Sequence, residues 1–343
     1  MVMVTTGSLG AVAVLAFVSP TIEAFFIWQA CMGLVYAITI RCAAWRIIGK
    51  AKHNRFDVDE LKRIWRFTAG MSAIGLTGLV FTQLDKVILS KMLGLEEFGH
   101  YMLATVVVSG LYVLVAPVYN VAYPRFSALV ATGDMEKLTD LYRSGTRLLA
   151  TVLFPLAMLL VVFAEDLVFL WTGNPALASN VAPVIALLAI GSALNGVMHF
   201  PYALQLACGM TRLSLTIYAM LITVMVPMLV YLALTHGALG GSLAWLLLHV
   251  LYVFWGTWLM HRHVLKGEGV RWLFQDVGIP LTLAILVGLI GRHYVAQSEE
   301  FSTFVKLIGG CGLALVAFAL SILVSQSLRT VVRRGLEWKK QLP

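Results

Sequence analysis

An ionisable pair, Asp85 and Lys86, follows Gln83 at the end of a long apolar run. Charge beside hydrocarbon is costly, so these side chains are candidates for a function. They fit a gate or an interfacial ion pair at least as well as a solvated helix end. Small and polar residues lead up to the pair at helical spacing and fit either tight helix packing or the wall of a water-filled cavity. These residues are Thr68, Ser72, Gly75, Gly78 and Thr82.

A second set of polar residues lies inside a later apolar run, at intervals of three or four positions. Such spacing places side chains on one face of a helix, and Pro201 is predicted to bend that helix. An Asn and a His at membrane depth need partners or water, so the face is predicted to point into the bundle. It is either a hydrogen-bonded structural stripe or the lining of a transport path. The set comprises Ser192, Asn195, His199 and Tyr202, with Gln205 close to the same face.

The composition defines the class of protein that carries these groups. Of 343 residues, 60% are hydrophobic and only 12% are charged, whereas soluble chains carry about 25% charged residues. The sequence therefore predicts an all-α, polytopic helical membrane protein. The net charge of +8 is explained by interfacial anchors that face anionic membrane lipids, so no nucleic-acid partner is expected. A further possibility is that some of these residues attract an anionic lipid-linked substrate.

Hydropathy predicts about ten transmembrane helices, because apolar runs near the ~20 residues needed to cross a bilayer recur along the chain. The predicted spans are 3–19, 24–44, 67–84, 98–119, 146–168, 181–204, 215–234, 238–260, 277–295 and 304–326.

The basic residues predict the orientation of these spans. Of the 25 Lys and Arg residues, 21 fall on one side of the alternating loops, mostly in segments 41–66, 120–147, 262–271 and 329–340. Only Lys86, Lys91, Arg292 and Lys306 remain for the opposite side. By the positive-inside rule, both termini are expected in the cytoplasm of a bacterial cell, with the chain in its cytoplasmic membrane.

The sequence carries no recognisable signature of metal, cofactor or covalent chemistry. The four cysteines lie apart without paired spacing, so disulfides and metal sites are not expected. His261 and His263, at a helix end, fit an interfacial turn better than a metal site. A Walker-type phosphate loop and a nucleophile–base motif are absent from the sequence. We therefore expect no cofactor and no enzymatic activity.

Two segments on the predicted cytoplasmic side complete the pattern. Residues 120–126, which include Asn120, Pro124 and Arg125, are predicted to end the fourth span in a turn, where Arg125 reaches lipid headgroups. Residues 133–143 are predicted to form a short amphipathic helix on the inner membrane surface.

Three ordered segments carry a family resemblance. They are QLDKVILSKMLG (83–94) with EFGHY (97–101), ALQLACGMTRLS (203–214), and PMLVYLALTHGALGG (227–241). Together they resemble the second half of bacterial polysaccharide flippases, the O-antigen and teichoic-acid exporters of the multidrug/oligosaccharidyl-lipid/polysaccharide superfamily. The resemblance covers about residues 65–260. None of the segments is a catalytic signature.

The resemblance implies two six-helix lobes, sometimes with an extra helix pair. Residues 1–60 are then a remnant of the first lobe, 61–262 the second lobe, and 263–343 the accessory helix pair with a basic tail. Only two helices precede the second lobe, so the chain resembles a family member that lacks its first four helices. Substrate in such proteins is expected between the lobes.

The resemblance further implies movement of a lipid-linked oligosaccharide of the undecaprenyl-diphosphate type by rocking of the lobes, with polysaccharide-assembly proteins as possible partners. Two alternatives stay open: an ion-coupled drug or metabolite exporter of the same superfamily, and a membrane-embedded glycan polymerase or acyltransferase. The candidate residues along the substrate path are Gln83, Asp85, Lys86, Asn120, Arg125, Asn195, His199, Tyr202 and Gln205.

Overall fold

The computed structural model describes residues 2–48, 58–298, 301–325 and 329, which are helical over most of their length and include no strand. The predicted basic segment around residue 52 and the predicted basic tail after Arg329 lie outside the described residues. The chain divides into two compact units, Met1–Trp65 and Arg66–Pro343.

The first unit is built around a helical hairpin of α1 (Val2–Phe17) and α2 (Ile22–Ile48). The indole N–H of Trp28 donates to the carbonyl oxygen of Gly7 at 2.9 Å. The same ring lies over Gly10, where an added Cβ would come within 2.2 Å of it. Small residues of this kind let two membrane helices approach closely.

The second unit is organised around one central helix, which contacts at least six other α-helices of the described residues. Its length and its mostly buried side chains explain that position. The helices that follow the hairpin are α3 (Val58–Met92), α4 (Leu95–Ser109), α5 (Tyr112–Thr132), α6 (Met135–Val162), α7 (Ala164–Thr172), the central α8 (Pro175–Ala207), α9 (Thr211–Leu251), α10 (Thr257–His263), α11 (Gly269–Arg271), α12 (Ile279–Gly291) and α13 (Thr303–Val324). Three π-helical segments, Tyr252–Gly256, Trp272–Gly278 and Arg292–Ala296, join or extend them.

The prediction of a polytopic helical membrane protein is confirmed. Eight helices of the described residues are long and apolar enough to cross a membrane, and one of them, Thr211–His263, extends over 53 residues. That helix is interrupted at Gly237, which gives the two spans predicted there. The first predicted span corresponds to α1, which has 16 residues.

Two local predictions are wrong. The predicted turn at 120–126 lies inside α5, which continues through Pro124 to Thr132. Proline is tolerated in membrane helices because neighbouring groups satisfy the freed carbonyl. The predicted surface helix at 133–143 is the beginning of α6, since no helix breaker separates its residues from the apolar part that follows. Asp134 caps this helix by accepting from the backbone N–H of Lys137 at 3.1 Å.

The interruption of α9 brings two of the resemblance segments into contact. Gly237 has φ +58° and ψ −135°, a conformation that favours glycine. The backbone N–H of the next residue, Ala238, donates to the Glu97 carboxylate on α4 at 2.7 Å. A carboxylate at this point satisfies a free N–H group at the start of the second half of α9.

Candidate substrate cavity

A cavity of about 420 Å³ lies between α3, α4, α5, α8 and α9 of the second unit. Its lining includes residues inside the predicted spans, such as Ser192 and Asn195, and the ionisable pair Asp85 and Lys86 at the end of one span. Polar and aromatic side chains converge on it, which is the usual composition of a small-molecule site.

The polar residues predicted to share one helix face lie on α8, and we call them the polar row. All four line the cavity wall: Ser192, Asn195, His199 and Tyr202. Because they are three or four positions apart, they share one side of the helix. Ser192 Oγ accepts from the indole N–H of Trp245 at 3.1 Å. The side-chain amide of Asn195 donates to the hydroxyl of Tyr112 at 2.9 Å. The Nδ1–H of His199 donates to the carbonyl oxygen of Asn195 at 3.0 Å, which leaves Nε2 of the neutral ring as an acceptor.

The predicted ion pair also lines the cavity. Lys86 Nζ is 3.4 Å from Asp85 Oδ1 and donates to the carbonyl oxygen of Thr82 at 2.9 Å. The hydroxyl of Tyr101 donates to Asp85 Oδ2 at 2.6 Å. Asp85 is only 3% exposed, so it belongs to the interior of the bundle and not to a solvated helix end. Both of its oxygens are occupied by the protein.

A chain of aromatic rings extends from the cavity along α9, α8 and α5. Phe81 contacts Tyr218 at a centroid distance of 5.3 Å, and Tyr218 contacts Tyr202 at 5.9 Å. Tyr202 stacks on Tyr119 at 6.3 Å, and Tyr119 stacks on Tyr123 at 6.0 Å. We call these five residues the aromatic track. It ends at Tyr123, about midway along α5.

The remaining predicted site residues are dispersed. Gln83 lies at the cavity and is exposed. Gln205 is buried beyond the polar row, where its side-chain oxygen accepts from Ser214 Oγ at 2.7 Å. Asn120 and Arg125 are exposed on α5 and do not line the cavity. Arg125 lies within a continuous helix because the predicted turn does not form.

Sequence reasoning identified Tyr202 but missed the other aromatic residues that line the cavity. In a hydropathy plot Tyr112, Tyr218, Trp245 and Tyr252 read as ordinary members of apolar spans, yet each lines the wall. His249 was missed as well: it is fully buried, donates from Nδ1 to the carbonyl oxygen of Trp245 at 2.8 Å, and lies 4.3 Å from that ring. The available signal was the recurrence of Tyr, Trp and His at helical spacing on α9.

A second polar region, which we call the ionic cluster, lies near the predicted cytoplasmic end of α6. Arg143 Nε donates to Asp276 Oδ2 and Arg147 Nε to Asp276 Oδ1, each at 2.9 Å. Asp276 is fully buried. The cluster joins α6 to the π-helical segment before α12. Its members are Arg143, Arg147, Glu268, Gln275, Asp276 and Ser325.

Two curated relatives have similar sequences along most of the chain. The teichuronic acid biosynthesis protein TuaB of Bacillus subtilis is 26% identical over 307 residues, which is 86% of this chain and 60% of that protein. The succinoglycan biosynthesis transport protein ExoT of Rhizobium meliloti is 24% identical over 329 residues, 91% of this chain and 63% of that protein. The chain thus spans about three fifths of the length of these relatives.

Among solved structures, the lipid II flippase MurJ in an inward closed conformation has a similar fold. Its TM-score is 0.62 at 13% sequence identity, over 92% of this chain and 65% of that one. The family model described as "Polysaccharide biosynthesis protein" matches residues 1–178, which is more than half of the chain. The resemblance seen in the sequence is therefore confirmed, and the chain belongs to the family of polysaccharide biosynthesis proteins to which the bacterial polysaccharide flippases belong.

Proposed function

We propose that this chain works in a flippase that moves a lipid-linked oligosaccharide across the cytoplasmic membrane for surface polysaccharide assembly. The observation that carries the proposal is the polar, aromatic cavity at membrane depth in a member of this family. The names of the relatives support it, since they refer to teichuronic acid biosynthesis and succinoglycan transport. In this proposal the lipid is of the undecaprenyl-diphosphate type, and both termini lie in the cytoplasm.

The movement that we propose requires no covalent chemistry on the substrate. The cavity forms one wall of the path, and the glycan passes along it while the lipid chain stays in the bilayer. Helix α9 supplies residues to the cavity from both sides of its interruption at Gly237, Tyr218 before it and Trp245 after it. A change of angle at that point would therefore reshape the wall.

The two alternatives have less support from the site. An ion-coupled exporter needs a carboxylate that is free to bind an ion, whereas Asp85 accepts from Tyr101 and pairs with Lys86. A polymerase or acyltransferase needs a histidine oriented as a base. Such a base also needs a catalytic partner such as a carboxylate, whereas the Nδ1–H groups of His199 and His249 donate to backbone carbonyl oxygens of their own helices.

The double substitution Asn195→Leu/His199→Leu tests the proposal in cells that depend on this chain for surface polysaccharide. Because it removes two polar groups from the cavity wall, we expect surface polysaccharide to fall at least about tenfold. The amount of the chain inserted in the membrane should stay unchanged.

The matched control is Asn180→Leu/His236→Leu, which changes the same residue types at exposed positions. This control should export normally. Wild-type surface polysaccharide in the cavity variant, at equal membrane levels, would contradict the proposed function.

A further inference from the structure

The cavity is electrically balanced, although the substrate proposed above carries a diphosphate. Among the described residues that line it, Asp85 is the only acid and Lys86 the only Lys or Arg, and the two pair with each other. A buried diphosphate needs cations or several N–H donors for its oxygens. In its neutral form His199 does not supply them, because its Nδ1–H is already bonded and Nε2 is then an acceptor. The wall therefore matches hydroxyl donors better than phosphate oxygens.

The tyrosines of the aromatic track differ from the aromatic residues of the packed core. The core pair Phe126 and Phe200 is 0% and 2% exposed, whereas Tyr119, Tyr123 and Tyr202 are only half-buried. Their hydroxyl groups bond no described residue. A polar group at membrane depth requires water or a ligand. The track thus presents ring faces and hydroxyls together on a side that the described residues of this unit leave open.

A sugar ring has the matching chemistry. One face of a pyranose carries C–H groups that pack against the electron-rich face of an aromatic ring, while its edge carries hydroxyls that donate to acceptors. The rings of Tyr202, Tyr119 and Tyr123 are nearly parallel, but their centroids are 6.3 and 6.0 Å apart. At that distance neighbouring rings are displaced and overlap little, so part of each face stays open to a sugar. Nε2 of His199 and the hydroxyl of Tyr202 offer acceptors beside them.

We propose that the aromatic track and the α8 polar row bind the glycan of the lipid-linked substrate, and that the diphosphate is held outside this cavity. This inference rests on the proposed function and specifies which part of the substrate the second unit binds. The sugars stack on Tyr218, Tyr202, Tyr119 and Tyr123, and their hydroxyls donate to His199. Selectivity in this unit is then for sugar rings and not for the charge of the lipid.

The test is equilibrium binding of two radiolabelled lipids to the full chain in lipid nanodiscs. The probes are undecaprenyl diphosphate and undecaprenyl diphosphoryl-N-acetylglucosamine. We expect the unsubstituted chain to bind the sugar-bearing lipid about tenfold more tightly than the bare diphosphate. We expect Tyr202→Leu/Tyr218→Leu to weaken binding of the sugar-bearing lipid about tenfold, because two stacking faces are lost. Binding of the bare diphosphate should change less than about twofold.

Two further variants separate stacking from misfolding. Tyr202→Phe/Tyr218→Phe keeps the rings, so we expect it to bind the sugar-bearing lipid within about threefold of the unsubstituted chain. Tyr231→Leu removes an exposed tyrosine of the same helix, α9, and should leave binding unchanged. Loss of affinity in the Phe variant equal to that in the Leu variant would overturn the stacking proposal.

The remaining outcomes divide between the two proposals. If the chain binds both lipids equally and the Leu variant has no effect, the glycan site is wrong while the flippase proposal stands. If the Leu variant loses both lipids equally, the track is core packing or a phosphate site, and the inference is again wrong. If the unsubstituted chain binds neither lipid, the proposed function itself is contradicted and the glycan site with it.

Discussion

The cavity and the ionic cluster lie between different membrane helices of the second unit and use polar groups in opposite ways. In the cluster, Arg143 and Arg147 converge on the fully buried Asp276, and the contacts join segments that are 129 to 133 positions apart in the sequence. In the cavity, the charges of Asp85 and Lys86 cancel within one turn of a single helix. The rest of its wall consists of aromatic rings, neutral donors or acceptors and a few apolar residues such as Val108 and Leu188.

The difference indicates separate roles for charge and for neutral polar groups in this chain. Charge holds the helices near α12 against α6, where a buried acid without its arginines would be very costly. The neutral wall can release a bound sugar, because stacking and single hydrogen bonds are individually weak. Substitutions in the cluster should therefore affect stability, and substitutions in the cavity should affect binding.

The largest expected effect on stability is that of Asp276→Leu. Without this carboxylate, Arg143 and Arg147 lose their shared buried partner, and the free energy of unfolding should fall by about 3–5 kcal/mol. Thermal and denaturant unfolding of the purified chain in detergent measures the change. The control Glu136→Leu replaces an exposed acid of α6, the helix that carries Arg143 and Arg147, and should stay within about 0.5 kcal/mol of the unsubstituted chain. Equal stability of the two variants would contradict the stabilising role assigned to the ionic cluster.

A smaller loss is expected for Gly237→Ala at the interruption of α9. The new Cβ would meet the Glu97 carboxylate, and φ there is +58°, so the substitution should cost about 1–3 kcal/mol. Gly209→Ala is the matched control, because its φ is also positive, at +70°, but the surrounding space is open. Unfolding of both variants separates backbone strain from the contact with Glu97. An equal cost at the two positions would show that Glu97 does not hold the interruption.

The substitution Lys86→Gln tests what the charge of Lys86 contributes in the cavity. The hydroxyl of Tyr101 still donates to Asp85 in this variant, so we expect a cost of only about 1 kcal/mol. Affinity for undecaprenyl diphosphate should be unchanged if the diphosphate lies outside the cavity. Lys91→Gln, at an exposed position on the same helix, serves as the control. A selective loss of diphosphate binding in Lys86→Gln would place the phosphate in the cavity.

The smallest effect is expected at the exposed ion pair that caps α6. The hydrogen bond from Lys137 holds the pKa of Asp134 below its ordinary value. The contribution of this ion pair to stability is therefore fully present above the pKa of Asp134 in the unfolded chain, about 3.9. It is lost as the pH falls through the lower pKa of Asp134 in the folded chain. Asn is also a good N-cap, so Asp134→Asn removes the charge but keeps the cap. The difference in unfolding temperature between the two proteins should vanish at low pH, and a difference that grows on acidification would contradict this assignment.

The sequence was sufficient for the features that depend on local spacing. Hydropathy predicts the helices, and the intervals between Ser192, Asn195 and His199 place them on one face of α8. That face lines the cavity in the structure. The interruption between the seventh and eighth predicted spans follows from glycine next to polar residues, and the structure has it at Gly237.

Features that depend on distant partners could not be predicted. Asp276 stands next to a predicted span, but nothing in the local sequence shows that it meets Arg143 and Arg147 on another helix. Gln205 has the spacing of the polar row, yet Ser214 occupies its side-chain oxygen beyond the cavity. The turn around Arg125 was wrongly predicted because the effect of Pro124 depends on whether neighbouring groups satisfy the freed carbonyl. These outcomes are decided by packing and not by spacing.

The most direct test measures where the glycan of the lipid-linked substrate lies when the chain is depleted from cells. Right-side-out spheroplasts are treated with a membrane-impermeant glycosidase, and the cleaved fraction of the lipid-linked glycan is determined. We predict that depletion lowers the cleaved fraction severalfold while total lipid-linked glycan accumulates, and that Tyr202→Leu/Tyr218→Leu does not restore it although Tyr231→Leu does. An unchanged cleaved fraction after depletion would contradict the account.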